Sequence, residues 1–210
     1  MKIGRAMTTA TWIVTPDKFL DASQVSALRA ALEAERAEGD KYAIRNGALI
    51  ETLLGTGLRV SELCSLVVAD LFLDANSPNV LVRRGKGGKS RLVAISAALA
   101  HYLSAFLRWK LSIGEPVTPV SPLFVSERGG GMHRSAVHRL WKAALKLAGL
   151  PTRHGVHATR HSYAVEVYRR TRDLRLTQRL LGHSSPNTTQ VYASLLDDDV
   201  RRGVEAIWAA

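Results

Sequence analysis

The segment GVHATRHSYA, residues 155–164, concentrates side chains that are capable of chemistry. Its His157 and Arg160 are three residues apart, so on a helix they project from one face. A metal site, an acid/base pair, a phosphate clamp and the polar side of a surface helix are all conceivable. The metal site is disfavoured, because the H-x-x-R step supplies a cation where a second ligand is required. A phosphate suits the pair better, since a guanidinium donates two parallel hydrogen bonds and an imidazole can move a proton near neutral pH.

A second group of reactive side chains lies in the segment TQRLLGHSSPNTTQVYASL, residues 177–195. The sequence predicts a helix that ends at Gly182, followed by His183 and by a turn over residues 185–187. A short helix then presents Tyr192, and the tight turn brings this phenol close to His183. A tyrosine at helical spacing is usually a core residue, but the nearby histidine and the upstream H-x-x-R segment favour a chemical role.

The net charge is strongly positive and unevenly distributed. Lys and Arg outnumber Asp and Glu by 29 to 18, which gives a formal charge of +11. Residues 83–91 contain five cations and no acid, and residues 151–180 contain seven arginines against two acids. Because each neutralised phosphate releases counterions, a polyanion is the natural partner of such a surface. A basic face that is merely solvated is the alternative.

Length and composition predict one principal domain without a membrane span. The 210 residues suit a single core, and the longest apolar runs fall far short of the ~20 residues that cross a bilayer. The apolar stretch near the N-terminus is too short for a signal peptide, so we expect a cytoplasmic protein. Cys64 is the only cysteine, which excludes an intramolecular disulfide and a thiolate zinc cluster and favours a buried structural role.

Amphipathic helices and one basic hairpin are predicted to position the reactive groups. Helices are predicted over residues 22–39, 41–57, 97–111 and 134–150, with Gly55 and Gly57 as stop signals for the second of them. Arg59 then lies at the head of a short helix, behind a glycine-bearing turn. Two β-branched runs within residues 79–96 predict a hairpin with a charged tip. The predicted fold class is therefore mainly α with a small antiparallel β-sheet.

Four segments together resemble the signature blocks of the tyrosine recombinase (phage integrase) catalytic domain. They are GTGLRVSELCSLVVADL, GKGGKSRLVAI, HATRHSYA and LLGHSSPNTTQVYA, in the order that the family has. The resemblance spans about residues 19 to 196 and implies the fold shared by these recombinases and the type IB topoisomerases. We expect residues 1–18 to form an N-terminal extension and residues 19–210 the catalytic domain. The chain is then either a fragment or a short form that lacks most of the family's N-terminal core-binding domain.

The resemblance implies a role for each matching residue around the phosphate. Arg59 and Arg160 match the arginines that grip the scissile phosphate, and His183 matches a histidine that hydrogen-bonds it. His157 matches the general base or proton donor. Glu62, three residues after Arg59, matches an acidic residue that supports the site by orienting it.

The resemblance also implies a nucleophile and a general acid. Tyr192 matches the nucleophile, whereas Tyr163 and Tyr168 match ordinary helix positions. Lys86, the first lysine of the hairpin tip, matches the general acid toward the leaving 5′ oxygen, and Lys89 is its rival. Further cations of the hairpin and of the helix that begins near residue 134 are expected to contact DNA: Arg83, Arg84, Lys89, Arg91, His133 and Arg134.

The implied reaction is site-specific cleavage and rejoining of DNA strands through a covalent 3′-phosphotyrosyl intermediate. Fixed cations stabilise charge on the non-bridging oxygens, so we expect neither a metal nor another cofactor. The expected partner is double-stranded DNA, bound by a dimer at each site and by a tetramer in synapsis. A C-terminal helix at about 197–208 is expected to pack either on a neighbouring protomer or on its own chain. A type IB topoisomerase-like relaxing enzyme and a catalytically idle DNA-binding regulator are the alternatives, the latter disfavoured by the complete set of matched residues.

Overall fold

The computed structural model describes residues 16–83 and 90–182 of the chain. Its helices are α1 (Ala22–Ala37), α2 (Lys41–Thr56), α3 (Val60–Cys64), α4 (Ala97–Ser112), α5 (Arg134–Leu147), α6 (His157–Thr171) and α7 (Leu174–Leu181). Its strands are β1 (Leu71–Phe72), β2 (Asn79–Val82) and β3 (Arg91–Ala94), and 3-10 turns cover Pro16–Lys18 and Val68–Asp70. The predicted fold class, mainly α with a small antiparallel sheet, is confirmed. Several predicted features lie outside the described residues: Arg84, Lys86, Lys89, His183, Tyr192 and the C-terminal helix at about 197–208.

The first two helices follow their predicted ranges because local capping signals define their ends. Asp21 accepts the backbone N–H of Gln24, and the Gln24 side chain accepts the N–H of Asp21, which fixes the start of α1. Helix α2 ends immediately before Gly57, whose left-handed backbone has a φ of 61°. Gly55 is helical, so its predicted stop signal is wrong. A Cβ at Gly55 would lie 2.7 Å from Leu99 Cδ2, so this glycine instead allows α2 and α4 to approach closely.

The basic hairpin predicted within residues 79–96 is confirmed as an antiparallel pair of strands. Strand β2 pairs with β3, and Val80 lies opposite Val93. Both valines are buried, as is Val82, so one face of the hairpin packs on the core. Strand β1 extends the sheet to the order β1-β2-β3, and the sequence does not predict it because two residues are too short to display alternation.

The buried apolar residues form two clusters. Helix α2 lies in the larger one, the main core, and the smaller one joins the segment before α1 to α6 and α7. The main core includes fully buried residues from four helices: Leu28, Leu49, Leu103 and Trp141. The smaller cluster joins Phe19 to Ala164 and Val165 of α6 and to Leu181 of α7. The end of α2 meets these two helices at Gly57, where a Cβ would lie 2.6 Å from the Tyr163 ring of α6 and 3.2 Å from Leu181 of α7. Within the part of the chain that the structure describes, no helix is both long and apolar enough to span a bilayer.

Candidate active site

Arg59 is held at the start of α3 by the acid one turn ahead of it. Its extended backbone, with φ −71° and ψ 150°, forms the N-terminal cap of the helix. The Arg59 backbone N–H donates to Glu62 Oε2 at 2.9 Å, and Arg59 Nη1 donates to Glu62 Oε1 at 2.9 Å. One carboxylate therefore fixes both the backbone and the guanidinium of Arg59, whose side chain stays 27% exposed. The predicted location of this arginine at the head of a short helix is confirmed.

Glu62 is a buried carboxylate shared by two arginines. Its side chain is 4% exposed, and Arg91 of β3 donates two parallel hydrogen bonds to it, Nη1 to Oε1 and Nη2 to Oε2, each of 2.8 Å. Burial alone would raise the pKa of Glu62. The Arg91 hydrogen bonds, the Arg59 backbone N–H and the charges of both arginines outweigh burial and lower that pKa to about 2. Glu62 is therefore ionised at neutral pH and holds two cations side by side.

Arg160 connects three separate segments of the chain. It lies in the first turn of α6 and is 7% exposed. Its Nη1 donates to the Gly57 carbonyl at 2.5 Å, and its Nη2 donates to the Leu181 carbonyl at 2.6 Å. Arg160 thereby orients the turn that precedes Arg59 and the helix end that precedes His183 in the sequence.

His157 is the first residue of α6, and the residue as a whole is exposed. Desolvation by the surrounding protein, followed by the nearby charges of His138, Arg160 and Arg59, lowers the pKa of His157. The two arginines therefore lie near enough to influence this imidazole electrostatically. A histidine with a lowered pKa is neutral at pH 7 and can accept a proton.

His161 and Tyr163, further along α6, are both partly buried, and burial shifts the pKa of each. His161 is half-buried, and burial together with the nearby charges of His157 and Arg160 lowers its pKa to about 4. The Tyr163 ring packs on Gly57, where a Cβ would lie 2.6 Å from the ring Cδ1. Burial raises the pKa of Tyr163, which makes its phenol a poorer nucleophile. The packing of Tyr163 is thus consistent with an ordinary helix position.

Three of the predicted DNA-contacting residues are exposed at the ends of secondary-structure elements. Arg83 follows β2, is 56% exposed and pairs through Nε with Asp70 Oδ1 at 2.5 Å. His133 caps α5, where its Nδ1 accepts the backbone N–H of Ser135 at 3.3 Å. Arg134 is exposed at the first position of that helix. All three are accessible to a large ligand, and their contact with DNA stays a prediction.

Arg91 differs from these three residues, because its guanidinium is engaged inside the protein. The side chain is 18% exposed, and both Nη atoms donate to the buried Glu62. The sequence predicts a DNA contact at Arg91, whereas the structure gives it a protein partner. Sequence reasoning missed this ion pair because its partners are 29 residues apart and no local spacing relates them.

Solved structures with a similar fold include the recombinases XerA and XerH. The crystal structure of XerA recombinase matches with a TM-score of 0.74 and 30% identity, and the match covers 94% of this chain and 66% of XerA. The XerH site-specific recombinase, solved with a palindromic difH substrate as a post-cleavage complex, matches with a TM-score of 0.76 and 25% identity. That match covers 93% of this chain and 54% of XerH.

The chain belongs to the phage integrase family, whose model matches residues 18–198. Among curated relatives, the tyrosine recombinase XerD of Mycobacterium tuberculosis is 30% identical over 210 residues, which is 100% of this chain and 65% of XerD. The tyrosine recombinase XerC of Halalkalibacterium halodurans is 37% identical over 162 residues, which is 75% of this chain and 52% of XerC. The chain thus spans 52–65% of the length of these two relatives.

Proposed function

We propose that this chain is a tyrosine recombinase that cleaves and rejoins DNA strands at a specific site through a covalent 3′-phosphotyrosyl intermediate. The observation that carries the proposal is that Arg160 bonds the Gly57 carbonyl, two residues before Arg59, while the charges of both arginines lower the pKa of His157. Glu62 orients Arg59, and two backbone carbonyls orient Arg160. Guanidinium groups held in this way suit a phosphate, because preorganised cations stabilise developing negative charge without further rearrangement.

The proposed chemistry of the described residues follows from their charges. Attack on a phosphodiester concentrates negative charge on the non-bridging oxygens, which Arg59 and Arg160 would neutralise. The lowered pKa of His157 keeps its imidazole neutral at pH 7, so it is suited to accept the proton of the attacking hydroxyl. Glu62 does not contact the substrate in this scheme and acts by holding Arg59 in place.

The remaining roles rest on the family resemblance. Tyr192 is the proposed nucleophile: its phenolic oxygen bonds to phosphorus while the bond from phosphorus to the 5′ oxygen breaks. Lys86 is proposed to protonate that leaving oxygen, with Lys89 as the rival, and His183 to hydrogen-bond the phosphate. A 5′ hydroxyl then attacks the phosphotyrosine, restores the strand and releases the phenol. The covalent bond retains the energy of the broken linkage, so the reaction needs no ATP.

The proposed partner is double-stranded DNA. The net charge of +11 and the exposed Arg83 and Arg134 support this partner, as does the relative XerH, which was solved with its difH substrate. A dimer at each site and a tetramer in synapsis are proposed from the family. Likewise proposed are residues 1–18 as an extension, residues 19–210 as the catalytic domain, and a cytoplasmic location.

A trapping experiment tests the proposed function. The chain first selects duplexes from a library with a randomised centre. The enriched sequence is then rebuilt with a nick, so that the cleaved fragment diffuses away and religation is prevented. We expect a protein–DNA adduct through a 3′ phosphate that forms equally well with EDTA present. Cleavage that requires a divalent metal and leaves no protein on the DNA would contradict the proposal.

The same reagents separate the two alternative functions. Relaxation of a supercoiled plasmid that carries none of the selected sequence would favour a topoisomerase-like enzyme. Selective binding of the enriched duplex without any adduct would favour a catalytically idle regulator.

A further inference from the structure

We infer that Arg91 is a positioning residue of the proposed active site. Its side chain connects the basic hairpin to Arg59 through Glu62, and it connects the hairpin to the end of α7 through Gly182. The inference rests on the proposed function. It also replaces the direct DNA contact that the sequence predicts for Arg91 with a contact inside the protein.

The first supporting observation is the shared carboxylate. Glu62 Oε1 accepts Nη1 of both arginines, and Glu62 Oε2 accepts Arg91 Nη2 and the Arg59 backbone N–H. With four donors around two oxygens, the carboxylate cannot rotate without breaking charge-assisted hydrogen bonds. The planar fork of Arg91 therefore sets the orientation of the group that holds Arg59.

The second observation is the close approach of Arg91 to Gly182. A Cβ at Gly182 would lie 2.6 Å from Arg91 Nε and 2.8 Å from Arg91 Cδ, so the arginine side chain passes directly over this glycine. Gly182 is the left-handed cap of α7, with a φ of 65°, and it precedes His183 in the sequence. One side chain thus contacts both the acid that orients Arg59 and the helix cap before a second predicted phosphate ligand.

The third observation is the place of Arg91 in the hairpin. It is the first residue of β3, where it pairs with Val82, and it follows in sequence the hairpin tip that contains Lys86. Its bonds to Glu62 tie the base of the hairpin to α3. A shift of the hairpin relative to Arg59 would have to break this bidentate pair.

The same contacts disfavour Arg91 as a phosphate ligand. Both of its Nη atoms donate to the ionised, buried Glu62, whereas those of Arg160 donate to neutral backbone carbonyls. A phosphate that captured this guanidinium would leave Glu62 buried and ionised with fewer partners, which is energetically unfavourable.

Two substitutions of Arg91 test the inference on the selected, nicked duplex. Arg91→Gln is expected to slow adduct formation on the order of 100-fold, because a displacement of about 1 Å at a catalytic group has effects of that size. DNA affinity and its salt dependence are expected to stay unchanged. Arg91→Lys keeps the cation but loses the fork, so it is expected to recover part of the rate.

Arg29→Gln is the matched control. Arg29 also forms a bidentate pair with a glutamate, Glu51, but on the exposed face of α1 and α2. Its loss is expected to change neither the cleavage rate nor the affinity for DNA. This control separates the loss of any arginine–glutamate pair from the loss of the pair that positions Arg59.

The pH dependence of adduct formation gives a readout that general destabilisation would not move. In Arg91→Gln, burial acts on Glu62 with less opposition, so its pKa rises and the carboxylate protonates at higher pH. The ratio of the variant's rate to the rate of the unmodified chain is therefore expected to fall as the pH is lowered. A ratio that does not change with pH counts against the inference.

The possible outcomes are distinct. In one outcome, the slope of log DNA affinity against log salt concentration becomes smaller by about one in Arg91→Gln, and the rate of adduct formation falls only as much as DNA binding does. This outcome would identify Arg91 as a phosphate ligand and overturn the inference. Normal cleavage by both variants overturns the inference and leaves the proposed function intact. Failure of the unmodified chain to form any adduct refutes the proposed function and the inference with it. If circular dichroism shows that Arg91→Gln does not fold, Arg91→Lys provides the same comparison.

Discussion

Replacement of Glu62 by Gln removes one charge from the candidate site and preserves its shape. In the native protein each carboxylate oxygen accepts two N–H groups, one from Arg59 and one from Arg91. In the variant one of these oxygens becomes an NH2 group, which offers no acceptor. Whichever way the amide is turned, two of the four donors then face another donor, and both arginines lose the negative charge between them.

Two independent estimates of the cost agree. Removal of one partner from a buried ion pair costs about 3–5 kcal/mol. The pKa of Glu62 is lowered from 4.5 to about 2, which at ~1.4 kcal/mol per pKa unit corresponds to about 3 kcal/mol. Solvent screening removes little of this, because the side chain is 4% exposed. We therefore expect Glu62→Gln to lower the free energy of unfolding by about 3 kcal/mol at neutral pH.

The pH dependence of this loss has a definite sign. The folded-state pKa of Glu62 lies below the unfolded value of 4.5, so its stabilisation is fully present above pH 4.5 and is lost as the pH falls through about 2. The Glu62→Gln variant lacks this ionisation. Its stability should therefore fall less steeply than that of the unmodified chain over the same pH range.

Urea unfolding followed by circular dichroism, from neutral pH down to the acid range, measures both effects. Glu51→Gln is the control, because Glu51 pairs with the half-exposed Arg29 and such pairs contribute about 0–1 kcal/mol. A cost below about 1 kcal/mol for Glu62→Gln would refute the assignment of Glu62 as a buried ionic anchor. Equal costs for the two variants, or an unchanged pH dependence, would refute it as well.

Two further predictions concern the turn before Arg59 and the helix beside it. Gly57→Ala is expected to be more destabilising than Gly149→Ala, although both glycines are left-handed and ~1–2 kcal/mol of backbone strain applies to each. A Cβ at Gly57 would lie 2.6 Å from the Tyr163 ring, whereas a Cβ at Gly149 would meet nothing within 4 Å. Overpacking therefore adds ~1–3 kcal/mol of destabilisation at Gly57 alone. Equal losses in Tm for the two variants would contradict this prediction. His161→Gln is expected to make the free energy of unfolding less sensitive to acid. The folded-state pKa of His161 is about 4 and its unfolded value is 6.5, so protonation of His161 destabilises the folded state as the pH falls from 6.5 to 4. The loss is at most ~3 kcal/mol, because the ring is partly exposed to solvent. Urea unfolding across that range, against His101→Gln at an exposed position of α4, measures the difference, and a variant that behaves like the unmodified chain would count against the shift.

Short-range signals sufficed to predict the elements that carry the candidate site. The capping pair of Asp21 and Gln24, the alternating valines of the hairpin and the glycine that ends α2 act over a few residues, and the structure agrees with them. Strand β1 has two residues and no such pattern. The helix stop predicted at Gly55 is wrong because the sequence does not distinguish a glycine that allows close packing on Leu99 from a glycine that ends a helix.

The contacts that organise the candidate site act over longer distances and could not be predicted from the sequence. Arg160 reaches the Gly57 carbonyl across 103 positions, and Arg91 reaches Glu62 across 29. Charge alone makes both arginines suitable for a phosphate. Only the three-dimensional arrangement shows that Arg91 is engaged by a buried carboxylate. Family motifs identified the candidate catalytic residues because those residues lie in contiguous segments, whereas the residues that position them are scattered along the chain.

The identity of the covalent nucleophile is the most direct test of the proposed recombinase. On the nicked duplex, the unmodified chain and Tyr163→Phe are predicted to form an adduct that withstands detergent, and Tyr192→Phe is predicted to form none. Peptide mass spectrometry of the trapped complex should find the phosphate on Tyr192. An adduct that persists in Tyr192→Phe, or a nucleotide attached to any other residue, would contradict the proposed mechanism.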